Sequence, residues 1–345
     1  MGRPNDRLRT MRESRQWTQV QVAEMIGSTS VNVSRWENNI TFPSRYYRDK
    51  LCKLFDKSER DLGLLSRSDE ADVVEFALPA FLFNEPLPLA EELYGRKRES
   101  ETLFSRTARK ASTSITGPRR IGKTWLLRYF CLQAPERLGA RFRIGYLDGM
   151  SPQCRSIKGF TLEALRQLGL PAPQENEGLI SLEKGLQELL ATKSVPVLCI
   201  DEFECFGRDQ EFSLEFFEGL RAMCNTSQLV LITTSRVPLH LVVHRNAQGS
   251  PFFNIFERIL LKPFSYSEAE QFIYEKSRIA NFQPLEREYL WKYGREHEDE
   301  KAWLPLRLQL AGKLLFEEAE KVRRSEAFKE IFEEAFFIQY NAIMY

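Results

Sequence analysis

At 345 residues, 43% hydrophobic and 28% charged, the chain suits two or three globular domains. Apolar runs such as Val197–Ile200 fall far short of a membrane span, and the polar, Arg-containing N-terminus lacks a signal-peptide core, so a cytoplasmic protein with no membrane partner is expected. Six Cys (52, 131, 154, 199, 205, 224) form no C-x-x-C pair and read as buried free thiols, and three His are too few for a metal cluster, which excludes a disulfide framework and a zinc module.

The net charge of +1 hides an asymmetry. Residues 1–66 carry twelve Lys/Arg against eight Asp/Glu, whereas residues 67–92 carry one Arg against seven acids, Asp69, Glu70, Asp72, Glu75, Glu85, Glu91 and Glu92. A basic module (1–66) followed by an acidic linker containing Pro79, Pro86 and Pro88 (67–92) marks a domain boundary, and the basic module suggests a polyanion partner.

Five short amphipathic segments fill the first module. Leu8 and Met11 mark the first. Thr18 would cap the second, whose apolar face is Val22, Ala23 and Ile26, and Gly27 permits the sharp turn after it. Ser28 or Thr29 caps a third segment, Ser30 to Glu37, with Val33 and Trp36 inward. Tyr47, Leu51, Leu54 and Phe55 mark a fourth, and Ser58 to Asp61 reads as a capping box opening the last. Two short helices joined by a Gly-containing turn make a helix-turn-helix.

The run Trp17 to Asn39, with Thr18-Gln19, Val22-Ala23, Ile26-Gly27, Val33-Ser34-Arg35-Trp36-Glu37 and then Pro43, resembles the XRE or Cro-like repressor family. The resemblance implies double-stranded DNA as partner, with the third helix in the major groove. Ser30, Val31, Asn32 and Arg35 would then face bases, and Gln19 and Ser34 would lie near phosphate or bases. Arg35 reads equally as a phosphate contact, and Glu37 fixes the helix end rather than touching DNA. Family members usually bind as dimers on paired half-sites.

Beyond residue 92 strand and helix patterns alternate, with candidate strands at 111–116, 142–147, 196–201, 229–234 and 258–262. That predicts an α/β core over 93–264 with a parallel sheet. Residues Gly117-Pro118-Arg119-Arg120-Ile121-Gly122-Lys123-Thr124 complete G-x-x-x-x-G-K-[ST] between a strand and the helical pattern begun by Trp125. Gly117 and Gly122 let backbone N–H groups turn toward a phosphate. Lys123 would reach the β- and γ-phosphates, Thr124 would hold Mg²⁺, and the helix start adds its positive end. ATP and Mg²⁺ are the expected nucleotide and ion.

The buried strand Val195 to Ile200 ends in Asp201-Glu202. Asp201 would hold Mg²⁺ through water and Glu202 would polarise the attacking water. Arg236, after the strand beginning at Leu229, would sense the γ-phosphate or is a plain strand-end Arg, and Thr233 or Thr234 would position water. His240 and His244 are four apart on a predicted helix, which reads as surface.

In order, Tyr94-Gly95-Arg96, the P-loop, Cys199 to Glu202, Thr233 to Arg236, Leu261-Lys-Pro-Phe264 and Trp303-Leu304-Pro305-Leu306 resemble the STAND-type signalling NTPases and the related archaeal-type, AAA+-like ATPases. The resemblance implies that Tyr94, Gly95 and Arg96 line the adenine side and that Pro305 closes over the base. Trp303 stands where the family usually has Gly. Residues 265–345 read as a helical lid, with a capping box at Ser267 to Glu270 and an apolar face of Leu304, Leu308, Leu310, Ala311, Leu314 and Leu315. No winged-helix segment or sensor repeat is visible, a departure from large STAND proteins. The aromatic end segment (Phe328, Ile331, Phe332, Phe336, Phe337, Ile338) would bury against the lid or form an oligomer contact. Three functions fit: an ATP-dependent DNA-binding regulator, a DNA-remodelling or transposition-accessory ATPase assembling on DNA, and a defence or signalling scaffold. The expected partners are DNA, nucleotide, a further copy in a homo-oligomer, and a sensor or effector protein.

Overall fold

The computed structural model describes residues 5–38, 43, 45–58, 61–64, 79–208, 211–226, 228–242, 252–297, 301–323, 325 and 327–344. The chain divides into two compact units, Met1–Pro79 and Ala80–Tyr345.

In the first unit, α1 (Asp6–Ser14), α2 (Gln19–Ile26), α3 (Ser30–Glu37) and α4 (Arg45–Phe55) are helical. Thr18 caps α2 in a full capping box with Gln21, and Gly27 ends it at φ 71°, in the left-handed region that glycine enters without a Cβ penalty. Thr29 caps α3 by accepting from the Asn32 N–H. Leu8, Val22, Ala23, Ile26, Val33, Trp36, Leu51 and Phe55 form the core. Glu37 is fully buried within it. Its carboxylate accepts from Arg12 Nε (2.6 Å), Arg12 Nη2 (3.1 Å) and Gln19 Nε2 (2.8 Å), so one acid ties α1, α2 and α3 together. Ser58 and Asp61 make the expected reciprocal bonds, Asp61 N to Ser58 Oγ at 3.1 Å and Ser58 N to Asp61 Oδ2 at 3.3 Å, although residues 59–60 between them lie outside the described residues.

The second unit is built on a five-stranded parallel sheet, β1 (Thr113–Thr116), β2 (Phe142–Asp148), β3 (Val195–Asp201), β4 (Val230–Ser235) and β5 (Glu257–Leu260), in the order β2-β3-β4-β1-β5. β1, β3 and β4 are buried along their whole length, and in β3 and β4 that burial goes with a largely apolar run ending in polar residues. Around them pack α5 (Lys97–Ala108), α6 (Lys123–Leu138), α7 (Ile157–Gln167), α8 (Leu179–Ala191) and α9 (Leu214–Asn225).

The helical end consists mainly of α10 (Tyr266–Ile279), α11 (Pro284–Tyr293), α12 (Pro305–Glu317) and α13 (Phe328–Met344). The expected cap at Ser267 is corrected: Ser265 caps α10, in a capping box with Glu268, and Ser267 lies inside the helix. Ser265 has the extended backbone a cap needs, and a Glu three residues on returns to its N–H. Phe328, Phe332 and Phe336 are buried, while Ile331, Phe337 and Ile338 face out, so α13 divides the aromatic segment between two faces.

The acidic linker is also corrected. Residues 67–78 lie outside the described residues, but from Ala80 onward the segment packs into the second unit. Phe81 stacks on Phe282 (5.5 Å), and a Cβ on Gly312 would sit 2.1 Å from the Phe81 ring, so α12 needs glycine there. The apolar run Ala80–Phe83 supplies burial that outweighs the charge of its flanks. Cys154 and Cys199 are buried and the other four Cys half-buried, all of them free. His240 sits on a four-residue helix, and His244 lies outside the described residues. Among the described residues no helix is long and apolar enough to cross a membrane.

Candidate functional site

β1 delivers the chain to Gly117, and α6 begins at Lys123. Between them Arg120 has φ 64° and Gly122 φ 99°, so two left-handed residues fold the loop back on itself. The Gly122 cap offers no side chain to the first N–H groups of α6, which leaves them for an anion. Lys123 is 6% exposed, and its Nζ donates to the carbonyls of Gly117 (3.0 Å) and Pro118 (2.9 Å). Burial lowers its pKa, an effect opposed by Glu202, Glu204 and Asp201. A desolvated cation beside a helix start is chemically suited to phosphate.

Asp201 ends β3 and is 5% exposed. Its Oδ2 accepts from Tyr146 OH of β2 at 3.1 Å, and its Oδ1 accepts from Thr234 Oγ1 of β4. Burial and then the Asp201 charge push the Tyr146 phenol well above its ordinary value. The next residue, Glu202, takes φ 50°, a conformation disfavoured for a non-glycine residue, and its N–H donates to Thr234 Oγ1 at 3.0 Å. Thr234 thus organises both acids, whereas the buried Thr233 hydroxyl has no partner among the described residues.

Arg236 lies between two carboxylates, with Nη2 3.5 Å from Glu202 Oε2 and Nε 3.3 Å from Glu204 Oε1. Glu204 is a third acid that the sequence reading passed over, although it stands two residues after Glu202. It is 4% exposed, accepts the Arg236 backbone N–H at 3.2 Å, and has no partner for Oε2 among the described residues. Burial, and then Glu202, raise its pKa.

These groups open on a cavity of about 460 Å³, within the range of small-molecule sites. Arg119, Arg120, Ile121, Gly122, Lys123, Thr124, Trp125, Glu202 and Arg236 line it, as do Tyr94, Arg96 and Pro305, so the sequence-predicted residues from five separate regions converge on one space. Gly95, Gly117, Pro118 and Asp201 do not line it. Gly95 serves packing: its φ is 62°, and a Cβ there would lie 2.6 Å from the Phe264 ring. Arg96 is 4% exposed, donates from Nη2 to the Ile121 carbonyl at 3.0 Å and lies over Phe264, bracing the P-loop. Trp303 does not reach the cavity. It is 1% exposed in the core of the helical end and donates to the Trp291 carbonyl at 3.1 Å.

The segment 82–86 was missed as part of the site. Leu82, Asn84, Glu85 and Pro86 form one wall, held by Trp125 Nε1 to the Glu85 carbonyl (3.0 Å) and Arg120 Nη1 to Asn84 Oδ1 (2.9 Å). Thr124, Asp201 and Glu202 supply only oxygen donors, the set a hard divalent cation takes. No three His, Cys, Asp or Glu converge among the described residues, so Mg²⁺ would need phosphate oxygens to complete its shell.

On the first unit, Val31 is 57% exposed and Arg35 is exposed on the same side of α3, with Ser30, Asn32 and Ser34 half-buried. Asn32 Nδ2 donates to Ser28 Oγ at 3.3 Å. Gln19 departs from expectation, since its amide donates to Glu37 inside the unit.

A glycine loop between a buried strand and a helix, with a buried Lys and acids at the end of a neighbouring parallel strand, defines a P-loop NTPase core; the first unit is a helix-turn-helix. Residues 106–243 match the family model described as AAA domain, and residues 8–62 match the one described as helix-turn-helix. The chain therefore joins a segment that matches a helix-turn-helix domain to one that matches an AAA domain with a P-loop. No curated protein matches it in sequence. Among solved structures, the Aeropyrum pernix ORC2 protein in its ADPNP–ADP complexes is similar at TM-score 0.53 and 16% identity over 69% of this chain. The chain spans 65% of that protein's length. The same protein in its ADP form is similar at TM-score 0.53 and 15% identity, covering 74% of this chain and 71% of that one. A Walker-type ATPase of Pyrococcus abyssi is similar at TM-score 0.50 and 18% identity, covering 75% and 79%. At these identities the likeness concerns the fold.

Proposed function

We propose that the protein is an ATP-dependent DNA-binding regulator in which the second unit binds and hydrolyses ATP and the first binds a DNA sequence. The observation that carries the reading is the convergence of the buried Lys123, Glu202 and Arg236 on one cavity, in a chain that also bears a helix-turn-helix.

Lys123 would exchange its two loop carbonyls for phosphate oxygens, giving charge-assisted bonds in a partly dry site. Thr124 and Asp201 would hold Mg²⁺, Asp201 through water because Tyr146 and Thr234 already occupy its oxygens. Bound Mg²⁺ supplies charge neutralisation at the phosphates. Glu202 would orient the attacking water, and Arg236, withdrawn from Glu202, would answer to the terminal phosphate. Because Arg236 bridges Glu202 and Glu204, a ligand that draws it away changes the charge beside Glu202, which supports a switch rather than a constant hydrolase. Tyr94 and Pro305 line the end where a base would lie. Val31 and Arg35 would read the major groove. We further infer self-association on DNA and the STAND-like signalling role implied by the ordered motifs.

The test is a footprint on fragmented genomic DNA with a non-hydrolysable ATP analogue and with ADP, at fixed salt. Discrete sites that differ between the nucleotides are expected. Continuous, sequence-blind protection with the analogue alone would replace the regulator by an assembling remodeller.

A further inference from the structure

Gln309 lies one helical turn beyond Pro305 on the same face of α12, and both line the cavity. The side chain is 5% exposed. Its Oε1 accepts the Leu82 backbone N–H at 2.8 Å. Only the amide oxygen can accept from an N–H, so this bond fixes which way the amide points and leaves its NH₂ as the remaining donor. That NH₂ has no hydrogen-bond partner among the described residues. The same cavity is lined by Leu82, Leu93, Phe264, Phe272, Pro305 and Leu306, beside the polar Glu92, Tyr94 and Arg96. An oriented, neutral donor in a cavity that also has aromatic and aliphatic lining suits a heteroaromatic ring that presents an in-plane acceptor.

Resting on the nucleotide-binding reading above, we propose that Gln309 is the base-reading residue, donating from Nε2 to a ring nitrogen of the purine. The contact is specific because a ring lacking that nitrogen leaves the amide NH₂ buried and unpaired. Gln309 also holds Leu82, so the group that reads the base fixes the cavity wall opposite it.

The experiment measures the affinity of the full chain for ATP and for its 1-deaza, 3-deaza and 7-deaza analogues, each lacking one ring nitrogen, in the wild type and in Gln309→Glu and Gln309→Ala. Gln309→Glu keeps an oxygen for the Leu82 N–H but replaces the donor by an acceptor. One deaza analogue should bind the wild type about 3- to 10-fold more weakly than ATP. Gln309→Glu should bind ATP more weakly and lose discrimination against that analogue alone, a change that a merely structural role would not produce. Equal wild-type affinity for all four, or discrimination unchanged in both variants, would overturn the assignment while ATP binding stands. A wild type that binds none of them would overturn the nucleotide site as well.

Discussion

Lys123→Met should separate the energetics of folding from those of binding. The ammonium is 6% exposed, and burial lowers its pKa, so its charged form is penalised in the folded protein. Methionine keeps the apolar stem and removes the charge, so the variant without nucleotide should unfold at the same temperature or higher. Binding moves the other way. A hydrogen bond to a charged partner contributes about 1.5–3 kcal/mol; taking about 2.7 kcal/mol for the net exchange from carbonyl to phosphate gives a roughly 100-fold weaker Kd. At saturating ATP the ligand-induced stabilisation should fall by the same amount, about 5–10 °C in the Tm gain for a unit of this size. The assay is thermal unfolding of the full chain with and without Mg-ATP, beside direct titration. The pH dependence fixes the sign. The folded pKa lies below the unfolded one, so the wild type carries the penalty at low pH and recovers it as pH rises between the two values, and the gap to the variant should shrink upward. An unchanged Kd and an unchanged ATP-induced Tm gain would refute the role given to Lys123.

Glu202→Gln should retain ATP binding and lose hydrolysis by about 10²- to 10⁴-fold, read as phosphate release at saturating ATP; a retained rate would assign the water to another group. Arg236→Ala should lower kcat with little change in Kd, and equal hydrolysis rates would make Arg236 a structural ion pair. Glu37→Ala removes a fully buried acid from Arg12 and costs about 3–5 kcal/mol, so amide exchange over residues 6–37 in the full chain should quicken by more than about 100-fold. Arg35→Ala should weaken binding to a cognate site about 5- to 100-fold without altering that exchange, and equal affinity would move the DNA-reading face elsewhere.

What the sequence made legible were features whose geometry is written in contiguous residues. The P-loop needs glycine at two defined steps and a Lys at the helix start, and Gly122 and Lys123 stand there. β3 and β4 were readable because full burial leaves an unbroken apolar run ending in polar groups. The cap at Thr18 was readable because no other Ser or Thr competes for it; at Ser265 and Ser267 two candidates two residues apart defeated the pattern. Groups joined only by the tertiary fold were not readable. Tyr146 reaches Asp201 because β2 and β3 run in register, with Asp148 opposite Asp201. Gln309 meets Leu82 across 227 positions, and nothing local in either segment announces it. Glu37 was assigned to a helix end, yet its burial under three donors made it the centre of the first unit and drew Gln19 away from the expected surface.

The misread linker bears on how a nucleotide could act beyond its own pocket. Composition marked residues 67–92 as a linker, because seven acids and three prolines stand there against a single Arg. Burial of Phe81 and Leu82 against the helical end decides otherwise from residue 80 onward. That short segment then bonds to three parts of the site, to the P-loop through Arg120 and Asn84, to α6 through Trp125 and Glu85, and to α12 through Gln309 and Leu82. A shift of α12 against the P-loop cannot preserve all three bonds without moving the segment, since its two ends are anchored to the parts that move. The same segment is the first stretch of the second unit after Pro79, where the chain leaves the helix-turn-helix unit. In the proposed switch, a nucleotide-dependent rearrangement of the cavity would therefore also move the start of the second unit.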